Sequence, residues 1–154
     1  MAETVQSRLA ALGIALPTPG TPLATYIPTT ESGGLVFVSG QLSVVAGGEQ
    51  CVGKLGAGLS VEDGRKGARI AAINLMAVLK SAIGSLELVT RIVKIVGFVN
   101  CAPDFTEPHK VVNGASELLV EVFGERGRHA RSSVGVNALP NGAAVEIEAI
   151  VEVA

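Results

Sequence analysis

In this 154-residue chain, Arg131 is the residue whose type and position most clearly suggest a chemical role. It begins the apolar segment 131–136, which we predict to be a strand returning to the centre of a sheet. An arginine there needs an anionic partner, because an unpaired charge in a dry site is costly. That partner is either Glu146, in a structural ion pair across the turn at 140–142, or the carboxylate of a small ligand held by both guanidinium nitrogens. Spacing alone favours the structural pair.

Glu146 belongs to the segment Val145–Val153, in which every odd-numbered residue is apolar. This alternation predicts a strand with one buried face. Glu146, Glu148 and Glu152 share the other face, where three carboxylates repel one another unless they are solvated or paired. A solvated sheet face is therefore the alternative to a functional role for these carboxylates.

Other kinds of chemical site find little support in the sequence. His109 and His129 are far apart, with no cysteine or carboxylate at ligand spacing, so we expect no metal site and a surface or loop position for both. Cys51, in a glycine-rich loop, and Cys101, at a strand end, are expected to be inert thiols. The glycines of 53–58 are followed neither by Gly-Lys-Ser/Thr nor by an acidic residue about 20 positions later, which argues against nucleotide binding.

The composition argues against several classes of function. The chain has 12 Lys and Arg against 14 Asp and Glu, a net charge of −2, and only 3% aromatic residues, unlike nucleic-acid binders. Its most apolar stretch, 70–79, is too short to span a membrane. Two cysteines cannot build a disulfide framework and no secretion leader is evident, so we expect a cytoplasmic protein. A charged fraction of only 17% is typical of a subunit that buries surface in an oligomer.

The predicted elements place these residues in an α+β fold. In chain order we predict a short helix within 3–13, an irregular lead-in at 17–22, strands at 35–38 and 42–45, a loop at 47–58, a helix from the Ser60 cap to about Ile83, a strand at 91–100, a helix at roughly 106–123, a strand at 131–136, a hairpin turn at 139–142 and a strand at 145–153. The order β-β-α-β-α-β-β predicts a two-layer sandwich, in which two helices cover one face of a mixed sheet. We therefore divide the chain into an N-terminal extension, 1–20, and a single domain, 21–154.

Several of these segments resemble the signature of the RidA/YjgF family, the reactive-intermediate deaminases, which are also labelled endoribonuclease L-PSP or translation inhibitor. Those near the C-terminus are Arg131-Ser132-Ser133-Val134-Gly135-Val136, Leu139-Pro140 and Val145-Glu146-Ile147-Glu148-Ala149-Ile150. Those upstream are Val38-Ser39-Gly40-Gln41, Ala68-Arg69 with Asn74, and residues 92–99. The resemblance covers about residues 24–153.

The resemblance implies a chorismate-mutase-like fold and a homotrimer with three sites at the subunit interfaces. It also implies hydrolysis of 2-imino or 2-enamino acids to 2-keto acids and ammonia, without a cofactor. In such a site Arg131 would bind the substrate carboxylate, and Glu146 would position or activate the attacking water. The other matching positions would line the pocket or contact the substrate: Tyr26, the backbone of Gly40 and Ser133, and Asn113.

The chain also departs from the family pattern, which marks it as a diverged branch. Ser133 stands where the family usually has cysteine, and Pro28 stands where a glutamine follows the pocket tyrosine. The loop 47–58 is longer than usual, and residues 1–20 are extra. A second hypothesis is therefore a non-catalytic trimeric module that binds a small carboxylate or a protein partner. RNA cleavage, which the family label implies, is disfavoured by the acidic balance, the few aromatics and the lack of a suitable histidine pair.

Overall fold

Residues 2–154 are described by the structure, a computed structural model, as a five-stranded sheet with helices against one face. The helices are α1 (Val5–Ala11), α2 (Val61–Ile83) and α3 (Pro108–Phe123). The strands are β1 (Thr29–Ser32), β2 (Leu35–Leu42), β3 (Lys54–Leu55), β4 (Gly58–Leu59), β5 (Val89–Asn100), β6 (Ala130–Val136) and β7 (Val145–Val153). None of the helices in this part of the chain has both the length and the apolar character needed to cross a membrane.

The order of strands in the main sheet is β1-β2-β7-β5-β6. Within this sheet only the β5–β6 pair is parallel, and the crossover between these two strands contains α3, as a parallel connection requires. The predicted α+β sandwich with a mixed sheet is thus confirmed. The predicted hairpin at 139–142 is wrong, because β5 lies between the two strands that this turn connects.

Helix α2 has the bounds that its end signals predict. Ser60 accepts a hydrogen bond from the backbone N–H of Asp63 at 3.1 Å, and the Asp63 carboxylate accepts one from the Ser60 N–H at 2.9 Å. This capping box satisfies two backbone donors that a helix start leaves free. Gly84 ends the helix with a φ of 87°, a conformation that glycine adopts without strain.

Two short regions differ from the prediction. The sequence does not predict strand β1, because residues 29–32 are polar and show no alternation of apolar and polar positions. In the fold, three of these four residues are exposed. Strand β1 pairs with β2 through Gly33 and Gly34, whose φ values of 58° and 80° suit a tight two-residue hairpin turn. The segment 42–45 is not a separate strand, since β2 ends at Leu42, and the predicted loop 47–58 contains the two-residue strands β3 and β4.

The predicted break at Ser39-Gly40 is a bulge inside one continuous strand. The pairing of β2 with β7 passes from Val38 opposite Ala149 to Gln41 opposite Ile147. Two residues of β2 therefore lie opposite one residue of β7, which bends the strand locally. The core is a single cluster between the sheet and the helices, and it includes the buried side chains of Val5 and Leu9 from α1.

Candidate active site

A groove of about 620 Å³ lies beside the bulge of β2, and we call it the β2 groove. Its walls come from the chain segment 18–28, the end of β2, helix α2 and the first residues of β7. Most of its lining is apolar, as at Leu23, Val45 and Val78. Tyr26, Gly40 and Glu146, three of the residues predicted for the site, line this groove together.

Among the titratable side chains that line the groove, Glu146 has a shifted pKa. It is half-buried on the face of β7 that carries the even-numbered residues, as the alternation predicts. Burial raises the pKa of the Glu146 carboxyl, and the nearby charge of Glu148 raises it further. A carboxylate with a raised pKa is a stronger base, which suits proton transfer near neutral pH.

Gly40 lets this carboxylate lie against the bulge. A Cβ atom at position 40 would be 1.9 Å from Oε1 of Glu146 and 2.9 Å from its Cγ. Any side chain larger than hydrogen would therefore displace Glu146. The sequence signal was the Ser-Gly-Gln match, but the reason for the glycine appears only in the folded chain.

We expect Gly40→Ala to lower turnover of the substrate at least tenfold, because the added methyl pushes the Glu146 carboxylate out of place. The melting temperature should change little, since the group that moves is the end of a flexible side chain rather than backbone. Kinetics and thermal unfolding of the variant test this expectation. Equal activity of Gly40→Ala and the parent would contradict this expectation.

Arg131 lies on the other side of the sheet, facing helix α3. Its Nη1 donates a hydrogen bond to Ser116 Oγ at 3.0 Å, and its Nη2 donates one to the backbone oxygen of His109 at 2.8 Å. Within residues 2–154 no Asp or Glu oxygen lies within 4.0 Å of its guanidinium. Burial lowers the pKa of Arg131, yet a guanidinium stays charged at neutral pH. Its partners are neutral, so the positive charge is not compensated.

The predicted ion pair between Arg131 and Glu146 is wrong within one chain. Arg131 on β6 is level with Ile95 of β5, whereas Glu146 on β7 is level with Phe98 of β5. The two positions differ by three residues along β5, and side chains alternate between faces along a strand. Arg131 and Glu146 therefore lie on opposite faces of the sheet, with one strand between them.

Ser133 and Asn113 lie on the same side of the sheet as Arg131. Ser133 pairs with Gly97 on the helix-covered face, and its buried hydroxyl has no hydrogen-bond partner among residues 2–154. Asn113 lies on α3 between His109 and Ser116, at spacings of four and three residues that share one helix face. The predicted site residues thus form two groups: Tyr26, Gly40 and Glu146 in the β2 groove, and Arg131, Ser133 and Asn113 at the edge formed by β6 and α3. One chain does not bring the two groups together.

Sequence reasoning assigned no role in the site to three polar residues near these groups, which are Ser39, Ser116 and His129. Ser39 lines the groove, and within the described chain its buried hydroxyl has no hydrogen-bond partner. Ser116 contacts Arg131, and Ser116 Oγ lies 2.8 Å from Nε2 of His129. The position of Ser116 three residues after Asn113 was a usable signal, whereas the other contacts depend on the tertiary fold.

The two histidines differ from each other in their surroundings. His109 is exposed, as expected, in the first turn of α3. His129 lies in the short connection before β6, in keeping with the expected loop position, but it is half-buried and hydrogen-bonded at both ring nitrogens. Burial is the main cause that lowers the pKa of His129, and the charge of Arg131 lowers it further. Burial raises the pKa of the Cys51 thiol, which keeps it protonated.

Comparison with known proteins gives a consistent family assignment. Residues 6–149 match the family model described as "YjgF/chorismate mutase-like, putative endoribonuclease". Protein TCP17 of Trypanosoma cruzi is 46% identical over 149 residues, which are 96% of this chain and 93% of that protein.

Two solved structures show how the similarity is distributed. Atu1372 of Agrobacterium tumefaciens, a protein of unknown function, is 43% identical with a TM-score of 0.90, over 97% of this chain and 92% of its own. TdcF of E. coli, solved with bound serine, is 25% identical with a TM-score of 0.63, over 92% of this chain and 97% of its own. The chain is thus more similar to Atu1372 than to TdcF in both sequence and structure.

Proposed function

Since the chain belongs to the RidA/YjgF family, we propose that it hydrolyses 2-imino or 2-enamino acids to 2-keto acids and ammonia. One observation carries this proposal. The guanidinium of Arg131 is held by neutral acceptors only, so that it can bind a substrate carboxylate. Glu146, with its raised pKa in the β2 groove, is the complementary base. The serine bound to TdcF, an amino acid with a carboxylate of the same kind, supports a ligand of this class.

We propose that the complete site forms between subunits of a homotrimer, as the family resemblance implies. The groove of one subunit would then receive the Arg131 edge of its neighbour, which explains why one chain keeps the two groups apart. The helix-free face of the sheet exposes Phe37 to 41% and Val134 to 43%, and such apolar surface favours contact with another copy. Each trimer would hold three equivalent sites.

In the proposed reaction Arg131 fixes the substrate carboxylate and thereby orients the C=N carbon. Glu146 removes a proton from water as the water oxygen bonds to that carbon. The same carboxyl then returns the proton to nitrogen. As the C–N bond breaks, the hydroxyl oxygen forms the C=O bond and gives its proton to Glu146, so that ammonia and a 2-keto acid are released. Backbone groups of Gly40 and Ser133 contact the reacting imine. A protonated imine is already electrophilic, so positioning and proton transfer suffice and no cofactor enters the scheme.

Binding of a small carboxylate without turnover is the second candidate. Its specific support is the departure from the family pattern at Ser133, itself a proposed site residue, and at Pro28, which lines the β2 groove. RNA cleavage has no such support, because both ring nitrogens of His129 are already hydrogen-bonded. For the deaminase we propose a cytoplasmic location, and the free thiols of Cys51 and Cys101 fit a reducing compartment.

A coupled assay tests the deaminase function directly. An amino-acid oxidase generates 2-imino acids from alanine, leucine or phenylalanine, and keto-acid release is followed with and without the protein. We expect faster release with the protein, and a kcat/KM at least tenfold higher for the leucine-derived imine than for the alanine-derived one. The reason is the largely apolar β2 groove, in which each buried methylene contributes about 0.8 kcal/mol, or roughly fourfold.

Each result of this assay has a distinct meaning. No acceleration with any of the three imines would contradict the deaminase function and favour the binding module. Acceleration that is equal for all three would keep the reaction but contradict the assignment of the groove to the substrate side chain.

A further inference from the structure

Arg131 is joined to two neighbours by a chain of hydrogen bonds that the reaction scheme above does not use. Arg131 Nη1 donates to Ser116 Oγ at 3.0 Å, and Ser116 Oγ lies 2.8 Å from His129 Nε2. His129 Nδ1 in turn lies 2.6 Å from the backbone oxygen of Gly127. This series of hydrogen bonds thus runs from β6, through helix α3, to the turn that precedes β6.

The donors in this chain can be assigned from chemistry alone. The oxygen of Gly127 can only accept, so Nδ1 of His129 carries the proton. In a neutral imidazole Nε2 is then an acceptor, and it receives the hydroxyl proton of Ser116. The lone pairs of Ser116 Oγ remain free to accept from Arg131. The burial and the neighbouring positive charge that lower the pKa of His129 favour this neutral form.

Such a series of hydrogen bonds fixes the position of a guanidinium without neutralising its charge. A carboxylate in place of Ser116 would orient Arg131 equally well but would also cancel its charge. Ser116, His129 and the backbone oxygen of His109 are neutral acceptors or donors, so the full positive charge stays available for an anionic ligand. Two of the guanidinium nitrogens are also tied to separate points on α3, which restricts rotation of the side chain.

We propose that Ser116 and His129 are positioning residues, which orient the charged guanidinium of Arg131 toward the carboxylate of the substrate. This inference rests on the proposed function, because it assigns a role to Arg131 in binding that substrate. Neither residue touches the substrate itself. Their contribution is to restrict Arg131 before binding, so that less conformational freedom is lost when the carboxylate arrives.

The test measures binding and turnover separately. We expect Ser116→Ala to raise KM for the imino acid, and Kd for the 2-keto acid product in calorimetry, about tenfold, with kcat within threefold of the parent. Ser116→Thr keeps the hydroxyl and should restore most of the affinity. Ser81→Ala, an exposed serine on α2, is the matched control and should leave both constants unchanged.

His129→Leu provides an independent second variant, since it removes the acceptor while leaving Ser116 in place. It should raise the same KM and Kd. The double variant with Ser116→Ala should raise them no further than Ser116→Ala alone, because both changes interrupt the same series of hydrogen bonds. A general loss of packing would instead give additive effects on the melting temperature and no selective effect on KM.

The outcomes separate this inference from the proposed function. If the parent binds the 2-keto acid and Ser116→Ala and His129→Leu bind it equally well, the positioning role is overturned while the deaminase function stands. If the parent neither binds the keto acid nor hydrolyses any imine, the deaminase function is overturned, and the positioning role with it.

Discussion

Arg131→Ala is expected to raise KM for 2-imino acids at least a hundredfold, the largest effect on substrate binding of any single change. Arg131 provides the charged hydrogen bonds to the substrate carboxylate, and truncation of one partner of such a pair typically costs 2–5 kcal/mol, roughly 30- to 4,000-fold. Arg131→Lys should recover only part of the loss, because an ammonium cannot reproduce the planar fork of a guanidinium. Steady-state kinetics and calorimetry with the 2-keto acid measure both variants.

Arg128→Ala is the matched control for this charge removal. Arg128 lies three residues before Arg131, its side chain is exposed, and it contacts Glu125 at 3.1 Å. The control should keep parental kinetics, since surface ion pairs of this kind contribute little. Arg131→Ala also removes two hydrogen bonds to α3, so thermal unfolding must show that the variant is folded. Parental turnover by a folded Arg131→Ala would exclude Arg131 from the site.

Glu146→Gln is expected to lower kcat by about 10² to 10⁴, the usual contribution of a positioned acid or base. The same variant should be more stable than the parent at neutral pH. The pKa of Glu146 is raised in the folded state, so its ionisation destabilises the folded chain increasingly as the pH rises above the ordinary pKa of glutamate, and fully once the pH exceeds the raised value. Glutamine stays neutral, and the gain in melting temperature should disappear below the ordinary pKa of glutamate.

The pH profile of turnover provides the complementary measurement. Turnover by the parent should fall as the pH drops through the raised pKa of Glu146, because the base is then protonated. Glu148→Gln removes the charge that contributes to this shift, so the acidic limb of the profile should move to lower pH. A Glu146→Gln variant that keeps parental turnover, or that loses stability at neutral pH, would contradict the assigned role of this carboxyl.

Local sequence signals were sufficient for much of the fold. The Ser60 capping box and Gly84 determine both ends of α2, since caps act through neighbouring backbone groups. The alternation in Val145–Val153 determines which residues of β7 share a face, because side chains along a strand point alternately to opposite sides. By contrast, β1 is a strand only because it pairs with β2: Gly33-Gly34 indicated a turn before β2, but the polar residues 29–32 show no alternation that predicts a strand.

The arrangement of the candidate site was decided by the tertiary structure. Sequence spacing placed Arg131 and Glu146 on strands joined by a short turn and so suggested an ion pair. Insertion of β5 between those strands separates the two residues and puts them on opposite faces. Periodicity within an element specifies only the face on which each of its residues lies. Which elements become neighbours depends on contacts between distant parts of the chain, and so do the neutral partners of Arg131 and the raised pKa of Glu146.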